Sequence, residues 1–183
     1  MDAADVAGQL ERVLLTEQAL ENRVQELARQ IETDYQGRDL LLVGVLKGAV
    51  MVMADLSRAL NRSADMDWMA VSSYGSGTKS SGVVRILKDL DRDISGRHVL
   101  VVEDIVDSGL TLSWLLRNLL SRGPASVEVL AMLRKPDAIS VPIVARYIGF
   151  DIPNEFVVGY GLDYNEQYRN LRCLATLAPH VYR

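Results

Sequence analysis

The chain has 183 residues, of which 49% are hydrophobic and 24% charged, with a formal net charge of -4. That is the length and balance of one globular domain with a substantial core, and the charge weighs against nucleic acid as the main partner, leaving room only for a local basic patch. No apolar stretch is long enough to span a membrane, and Met1-Asp2-Ala3-Ala4-Asp5 carries no basic region ahead of an apolar run.

Residues 1–13 read as a flexible tail ahead of a single domain that fills the remainder of 1–183. From Thr16 to about Tyr35 the spacing of Leu20, Val24, Leu27 and Ile31 predicts an amphipathic helix, capped by Thr16 and ended by Gly37. Leu40-Leu41-Leu42-Val43-Gly44-Val45-Leu46 is a strand buried on both faces. It runs through Lys47-Gly48 into a helix from about Ala49 to Leu60, in which Met51 and Met53 are core filler. A cation and a permissive backbone at a helix N-terminus suit an anion.

Met66 to Val71 reads as a strand, and the small polar residues 72–82 read as a mobile lid whose Ser73-Tyr74 reaches the site. A return strand follows from Val83 to Leu87, then a turn from Asp91 to Gly96. His98 opens the next strand and is structural.

That strand is the centre of the chain. Val99-Leu100-Val101-Val102 is a buried apolar run that stops at Glu103-Asp104, and Asp107, Ser108, Gly109, Leu110 and Thr111 open a helix carried by Leu112, Leu115, Leu116 and Leu119. Backbone N–H groups and hydroxyls at the positive end of a helix dipole make a phosphate cradle. Glu103 and Asp104 repel phosphate but suit sugar hydroxyls or Mg²⁺. Any one of Asp107, Ser108 or Thr111 could be an ordinary helix cap, so the whole set after a buried strand carries the signal. A phosphorylated ribose fits it.

Gly123-Pro124 breaks the chain, and Ser126 to Leu133 forms another strand leading to Arg134-Lys135-Pro136-Asp137. Ile148-Gly149-Phe150, Phe156-Val157-Val158 and Gly159-Tyr160-Gly161-Leu162-Asp163-Tyr164 follow. The lone cysteine, Cys173, lies between Leu171 and Leu174 in a core strand; it excludes an internal disulfide and fits a reducing cytoplasm. Strands alternating with helices predict an α/β fold with a doubly wound, mainly parallel sheet and terminal segments hooding its ligand edge.

The Glu103–Thr111 loop closely resembles the phosphoribosyl pyrophosphate loop of the type I phosphoribosyltransferases, and it lacks the Gly-Lys-Ser/Thr ending of a Walker A loop. With Lys135, Phe156-Val157 and the Gly159–Tyr164 run, the resemblance narrows to the bacterial hypoxanthine-guanine phosphoribosyltransferases, from about Leu14 to Leu177. It implies that Glu103 and Asp104 hold the ribose hydroxyls and metal, and that Ser108, Gly109, Leu110 and Thr111 take the 5′-phosphate. Lys47, Gly48 and Arg169 meet pyrophosphate, and Asp163 positions a second Mg²⁺. Phe156 stacks on the purine, Val157 and Asp163 read its edge, and Lys135 donates to its 6-oxo group. An ammonium only donates, so it matches a 6-oxo acceptor and opposes the 6-amino group of adenine.

The implied mechanism displaces pyrophosphate at the anomeric carbon, with Asp107 handling the purine N7 proton and Ser73-Tyr74 closing over the centre. The family's Leu46–Lys47 peptide is often cis. Many members carry an aspartate where this chain has Arg134, which puts the balance among hypoxanthine, guanine and xanthine in doubt. Members are usually dimers or tetramers. The rival readings are a regulator that keeps this fold but binds nucleic acid, the same chemistry on another base, and a dinucleotide binder, which would need a Gly-x-Gly-x-x-Gly after the first strand.

Overall fold

The computed structural model describes residues 1–73 and 84–182. The elements run β1 (Leu10–Leu15), α1 (Glu17–Asp34), β2 (Leu40–Leu46), α2 (Val50–Ala59), β3 (Asp65–Ser73), β4 (Val84–Lys88) and β5 (His98–Val106). Then come α3 (Leu110–Leu120), β6 (Ser126–Arg134), β7 (Tyr147–Asp151), β8 (Val157–Val158), β9 (Leu174–Leu177) and a single closing turn, α4 (Pro179–Tyr182).

Strands that are apolar on both faces must lie between two layers, and β2 and β5 do. The main sheet has the order β4-β3-β2-β5-β6-β7. Every pair is parallel except the β3–β4 hairpin. Side-chain alternation sorts the core into two layers. Leu40, Leu42, Leu100 and Val102 pack with α1 and α2, whereas Leu41, Val43, Val99 and Val101 pack with α3 through Leu112, Leu115 and Leu119. Helix α1 begins where expected, with Thr16 Oγ1 accepting from the Ala19 N–H at 3.2 Å. His98 is structural as read: its ring nitrogen pairs with Ser126 Oγ at 2.8 Å, and its edge meets Tyr35.

A second, antiparallel sheet has the order β1-β9-β8, and its Val157 and Leu174 join the α1–α2 layer. This corrects the expected flexible tail. Residues Ala3–Val6 form a 3₁₀ turn, and β1 pairs with β9. The reason is that β9 is buried on both faces, and Val6 and Leu10 cover Leu171, Cys173 and Ala175. Cys173 is buried and free, and it sits just ahead of β9 rather than in a strand.

Two boundaries differ near the sheet edge. Ser72 and Ser73 end β3, pairing with Arg85 and Val84, instead of opening the expected lid. Tyr74 and the rest of that stretch up to residue 82 lie outside the described residues. The central strand does not stop at Glu103 but runs on to Val106, because Ile105 and Val106 continue the ladder opposite Leu133 and Arg134 of β6.

Candidate active site

The site is built on the carboxyl ends of β2, β5 and β6, where an open α/β sheet receives ligands. At the β2–α2 junction the Leu46–Lys47 peptide is cis. Gly48 follows because a Cβ there would lie 1.6 Å from Asp104 Oδ2 and would push that carboxylate aside. Gly161, at φ +101°, presses on the same turn, and its added Cβ would fall 2.0 Å from the Gly48 carbonyl oxygen.

The extension of β5 sends Glu103 and Asp104 to opposite faces of the sheet, since neighbouring strand residues alternate. Glu103 faces the α3 side, where it lines a cleft of about 290 Å³ with Val45, Val106, Asp107, Ser108 and Thr111. Asp104 faces the α2 side against Gly48, with one oxygen accepting from the Ile105 N–H at 2.8 Å. Burial pushes both carboxyls up, Asp104 to about 6 and Glu103 well above the usual range, the latter also raised by the charge of Asp104.

Helix α3 starts in that cleft. Gly109 is its left-handed cap at φ +80°, pressed beneath Val141 and Ile143. Ser108 stays oriented because its carbonyl accepts from the Ser140 N–H at 3.0 Å and from Ser140 Oγ at 3.1 Å. The first N–H groups of a helix have no intrahelical acceptor, so Gly109 and Thr111 present a short row of donors to the cleft, while the Leu110 N–H donates to Ser108 Oγ at 3.5 Å. Asp107 leaves this row. Its carboxylate is exposed and takes the buried Lys135 ammonium at 3.2 Å, at the end of β6. Arg134 turns the other way into a two-pronged pair with Asp151, at 2.7 and 2.9 Å.

On the α2 side a loop returns from β8. Arg169 donates to the Gly161 carbonyl at 2.8 Å and pairs with Asp163 Oδ1 at 2.7 Å. Glu166 bridges Lys47 at 2.9 Å and Arg169 at 3.3 Å, and these cations lower its carboxyl below the usual range. Phe156 is half exposed, with Tyr164 edge-on at 5.9 Å and Tyr182 tilted at 6.1 Å; Val157 is buried in β8.

The structure therefore brings the sequence-predicted residues together in several neighbouring groups rather than one. Glu103, Asp107, Ser108, Gly109 and Thr111 line the α3 cleft, with Leu110 opening α3 beside it; Lys47, Gly48, Asp104, Asp163 and Arg169 share the α2 side; Lys135 pairs with Asp107 from the end of β6; Phe156 and Val157 lie at β8. Glu103, Asp104 and Asp163 do not converge into a cage, and no group of three or more metal-ligating side chains exists among the described residues. The alternation of β5 forbids it. Magnesium, however, usually takes one or two carboxylates and completes its shell with water and substrate phosphate oxygens. Burial raises the Asp104 carboxyl to about 6, and a cation arriving with its ligand would favour the ionised form.

Sequence reading missed Glu166, Tyr164 and Tyr182. Tyr164 lies in the run that was singled out, but no local signal ties Glu166 to Lys47, 119 positions away.

The sequence and fold are similar to those of known proteins. The profile of the phosphoribosyl transferase domain matches residues 13–165. The hypoxanthine-guanine phosphoribosyltransferase of Mycobacterium tuberculosis is 59% identical over 182 residues, covering 96% of this chain and 90% of that protein. That of Bacillus subtilis is 46% identical over 173 residues, covering 94% and 96%. A hypoxanthine phosphoribosyltransferase of Staphylococcus aureus superposes with a TM-score of 0.95 at 46% identity, covering 98% of this chain and 97% of that one. No helix among the described residues is long and apolar enough to cross a membrane. From profile, relatives and fold together, the chain belongs to the phosphoribosyl transferase family and, within it, to the hypoxanthine-guanine phosphoribosyltransferases.

Proposed function

We propose that the protein works in purine salvage, transferring the 5-phosphoribosyl group from phosphoribosyl pyrophosphate to hypoxanthine or guanine, with IMP or GMP and pyrophosphate as products. The observation that carries this reading is the split of the anion-binding elements across the end of β5. The α3 N-terminus lies on one face, and the Lys47–Arg169 pair of cations on the other. A ribose with phosphate at one end and diphosphate at the other needs that division.

Ser108, Gly109, Leu110 and Thr111 take the 5′-phosphate, largely through N–H groups, and Glu103 with Asp104 hold the ribose hydroxyls. Lys47, Gly48 and Arg169 receive the diphosphate and stabilise its growing charge as it leaves. Glu103 and Asp104 would meet one Mg²⁺ through the ribose hydroxyls, and Asp163 would position a second; the metal would supply charge neutralisation of the leaving group.

At the purine end, Phe156 offers its exposed face for stacking while Tyr164 and Tyr182 support the ring. Val157 and Asp163 read the edge of the base. Lys135 donates to the 6-oxo group, and its pairing with Asp107 supports a second task for that carboxylate, moving the N7 proton. Arg134 is neutralised by Asp151, so it adds little positive charge near the base and gives xanthine no advantage.

The working form is a homo-oligomer, a dimer or tetramer, in the cytoplasm. In it residues 1–183 act as one domain.

The test is nucleotide formation from phosphoribosyl pyrophosphate and Mg²⁺ with hypoxanthine, guanine, xanthine and adenine offered separately, beside an Asp107→Asn variant. Turnover of hypoxanthine and guanine, reduced about 10²-fold or more in the variant, supports the reading. No turnover with any base, despite tight binding of phosphoribosyl pyrophosphate, overturns it in favour of a regulator that kept the fold.

A further inference from the structure

Residues Tyr164 to Gln167 form a two-residue hairpin, closed by reciprocal backbone bonds of 3.1 and 3.0 Å. Its central residues, Asn165 at φ +51° and Glu166 at φ +62°, are both left-handed, the pattern of a type I′ turn. Such turns favour Asn followed by Gly, because a side chain at the second position is strained. Here that position holds a glutamate.

Its side chain explains the choice. One carboxylate oxygen takes the Lys47 ammonium at 2.9 Å, and the other takes an Arg169 nitrogen at 3.3 Å. The Glu166 N–H is held by Asp163 Oδ2 at 2.9 Å, so the turn backbone is fixed while the carboxylate, 64% exposed, is free to swing outward. Lys47 is similarly exposed, at 65%. Two cations gathered around an anion on a strained turn form a site already filled from within.

We propose that Glu166 is a built-in stand-in for pyrophosphate, a residue that sets affinity at the diphosphate end by occupying the place between Lys47 and Arg169 until the ligand displaces it. The proposal rests on the assignment of those cations to the diphosphate. Bound Glu166 keeps the cations gathered between turnovers. Its return after transfer competes with the product and hastens pyrophosphate release. A carboxylate carries less charge than a diphosphate, so the exchange favours the ligand yet keeps it from binding too tightly.

The sign of one measurement separates this role from simple scaffolding. Calorimetric titration with pyrophosphate and Mg²⁺ would compare the wild type with Glu166→Gln, which keeps size and removes charge. Glu166→Gly, which suits the turn, guards against a folding artefact. Both variants are expected to bind pyrophosphate about three- to tenfold more tightly, the scale of one exposed and one partly exposed ion pair released. KM for phosphoribosyl pyrophosphate should fall in step, KM for hypoxanthine should stay the same, and kcat should drop as product release slows.

Unchanged or weaker pyrophosphate binding in both variants overturns the proposal, weaker binding being the mark of a scaffold. Lys47→Ala, run alongside, keeps the two readings apart. If it binds pyrophosphate as the wild type does, the assignment of the junction fails and the stand-in with it. If it binds weakly while the Glu166 variants do not tighten, only the stand-in fails.

Discussion

Gly161→Ala tests whether the loop from β8 sets the position of the β2–α2 turn. The new Cβ would sit 2.0 Å from the Gly48 carbonyl oxygen and 3.1 Å from its carbonyl carbon, both backbone atoms that cannot rotate away. The glycine is also at φ +101°, where an L side chain is strained by about 1–2 kcal/mol. Adding the clash gives a loss of about 2–4 kcal/mol, the range of substitutions that combine overpacking with backbone strain. Relief requires the two turns to part by about 1 Å, and a misplacement of that size costs up to about 10²-fold in rate. Urea unfolding would read the stability, and steady-state kinetics with phosphoribosyl pyrophosphate varied would read the site. The expected result is a lower midpoint and a fall in kcat/KM for phosphoribosyl pyrophosphate, carried mainly by the Lys47 side. An unfolding midpoint and a kcat/KM both equal to wild type would refute the reasoning.

Lys135→Ala should lower kcat/KM for hypoxanthine about ten- to hundredfold, the worth of a charge-assisted hydrogen bond, while KM for phosphoribosyl pyrophosphate stays near wild type; equal losses with both substrates would contradict its place at the base. Phe156→Ala removes a stacking face worth about 1–3 kcal/mol, so steady-state kinetics should show a raised purine KM with little change for the other substrate. Burial and the hydrogen bonds to Asp34 and Asp55 raise the phenols of Tyr147 and Tyr160 above their ordinary value of 10.0. Below the unfolded pKa both states are protonated and the stabilisation is complete. As pH climbs past it, the unfolded chain sheds protons that the folded chain retains, so stability falls. Urea midpoints measured across that alkaline range should decline, and less steeply in Tyr160→Phe; a flat profile in the wild type would rule the assignment out.

The interior was legible because it is local. The apolar runs at Leu40–Leu46 and Val99–Val102 and the helical spacing of Leu20, Val24, Leu27 and Ile31 announce their elements without help. The lower edge of legibility is seen at β1. Leu10-Glu-Arg-Val-Leu-Leu has no clean alternation, and it becomes a strand only because β9 needs a partner. The end of β5 misled for a related reason. Two adjacent acids look like a loop in sequence, yet the ladder to β6 holds them in extended backbone, and pairing between distant strands has no local signature. Of the site, the α3 loop and the Lys47-Gly48 junction could be read from residue type and position alone. The pairing of Asp107 with Lys135 joins two residues more than twenty positions apart, which no spacing rule connects. The Glu166 bridge and the support of Phe156 by Tyr182 depend on chain returning from far away, and no spacing rule reaches them.

The alternation at Glu103 and Asp104 has a consequence for how such a site can change. The proposed ribose straddles the tip of β5 like a rider, with one anionic end falling on each flank. The span between its two anion seats is then set by the thickness of the sheet, a quantity fixed by strand geometry and close packing. Loops above can be lengthened, recoloured in charge or exchanged, and they will alter which base is accepted or how quickly products depart. Only an edit to the β2–α2 turn, the start of α3 or what presses on them, as Gly161 does, can stretch the saddle. A ligand with its two anionic groups closer together or farther apart must forfeit one seat, so the gauge for the sugar is held by the most rigid part of the molecule, while its most variable parts are left to choose the base.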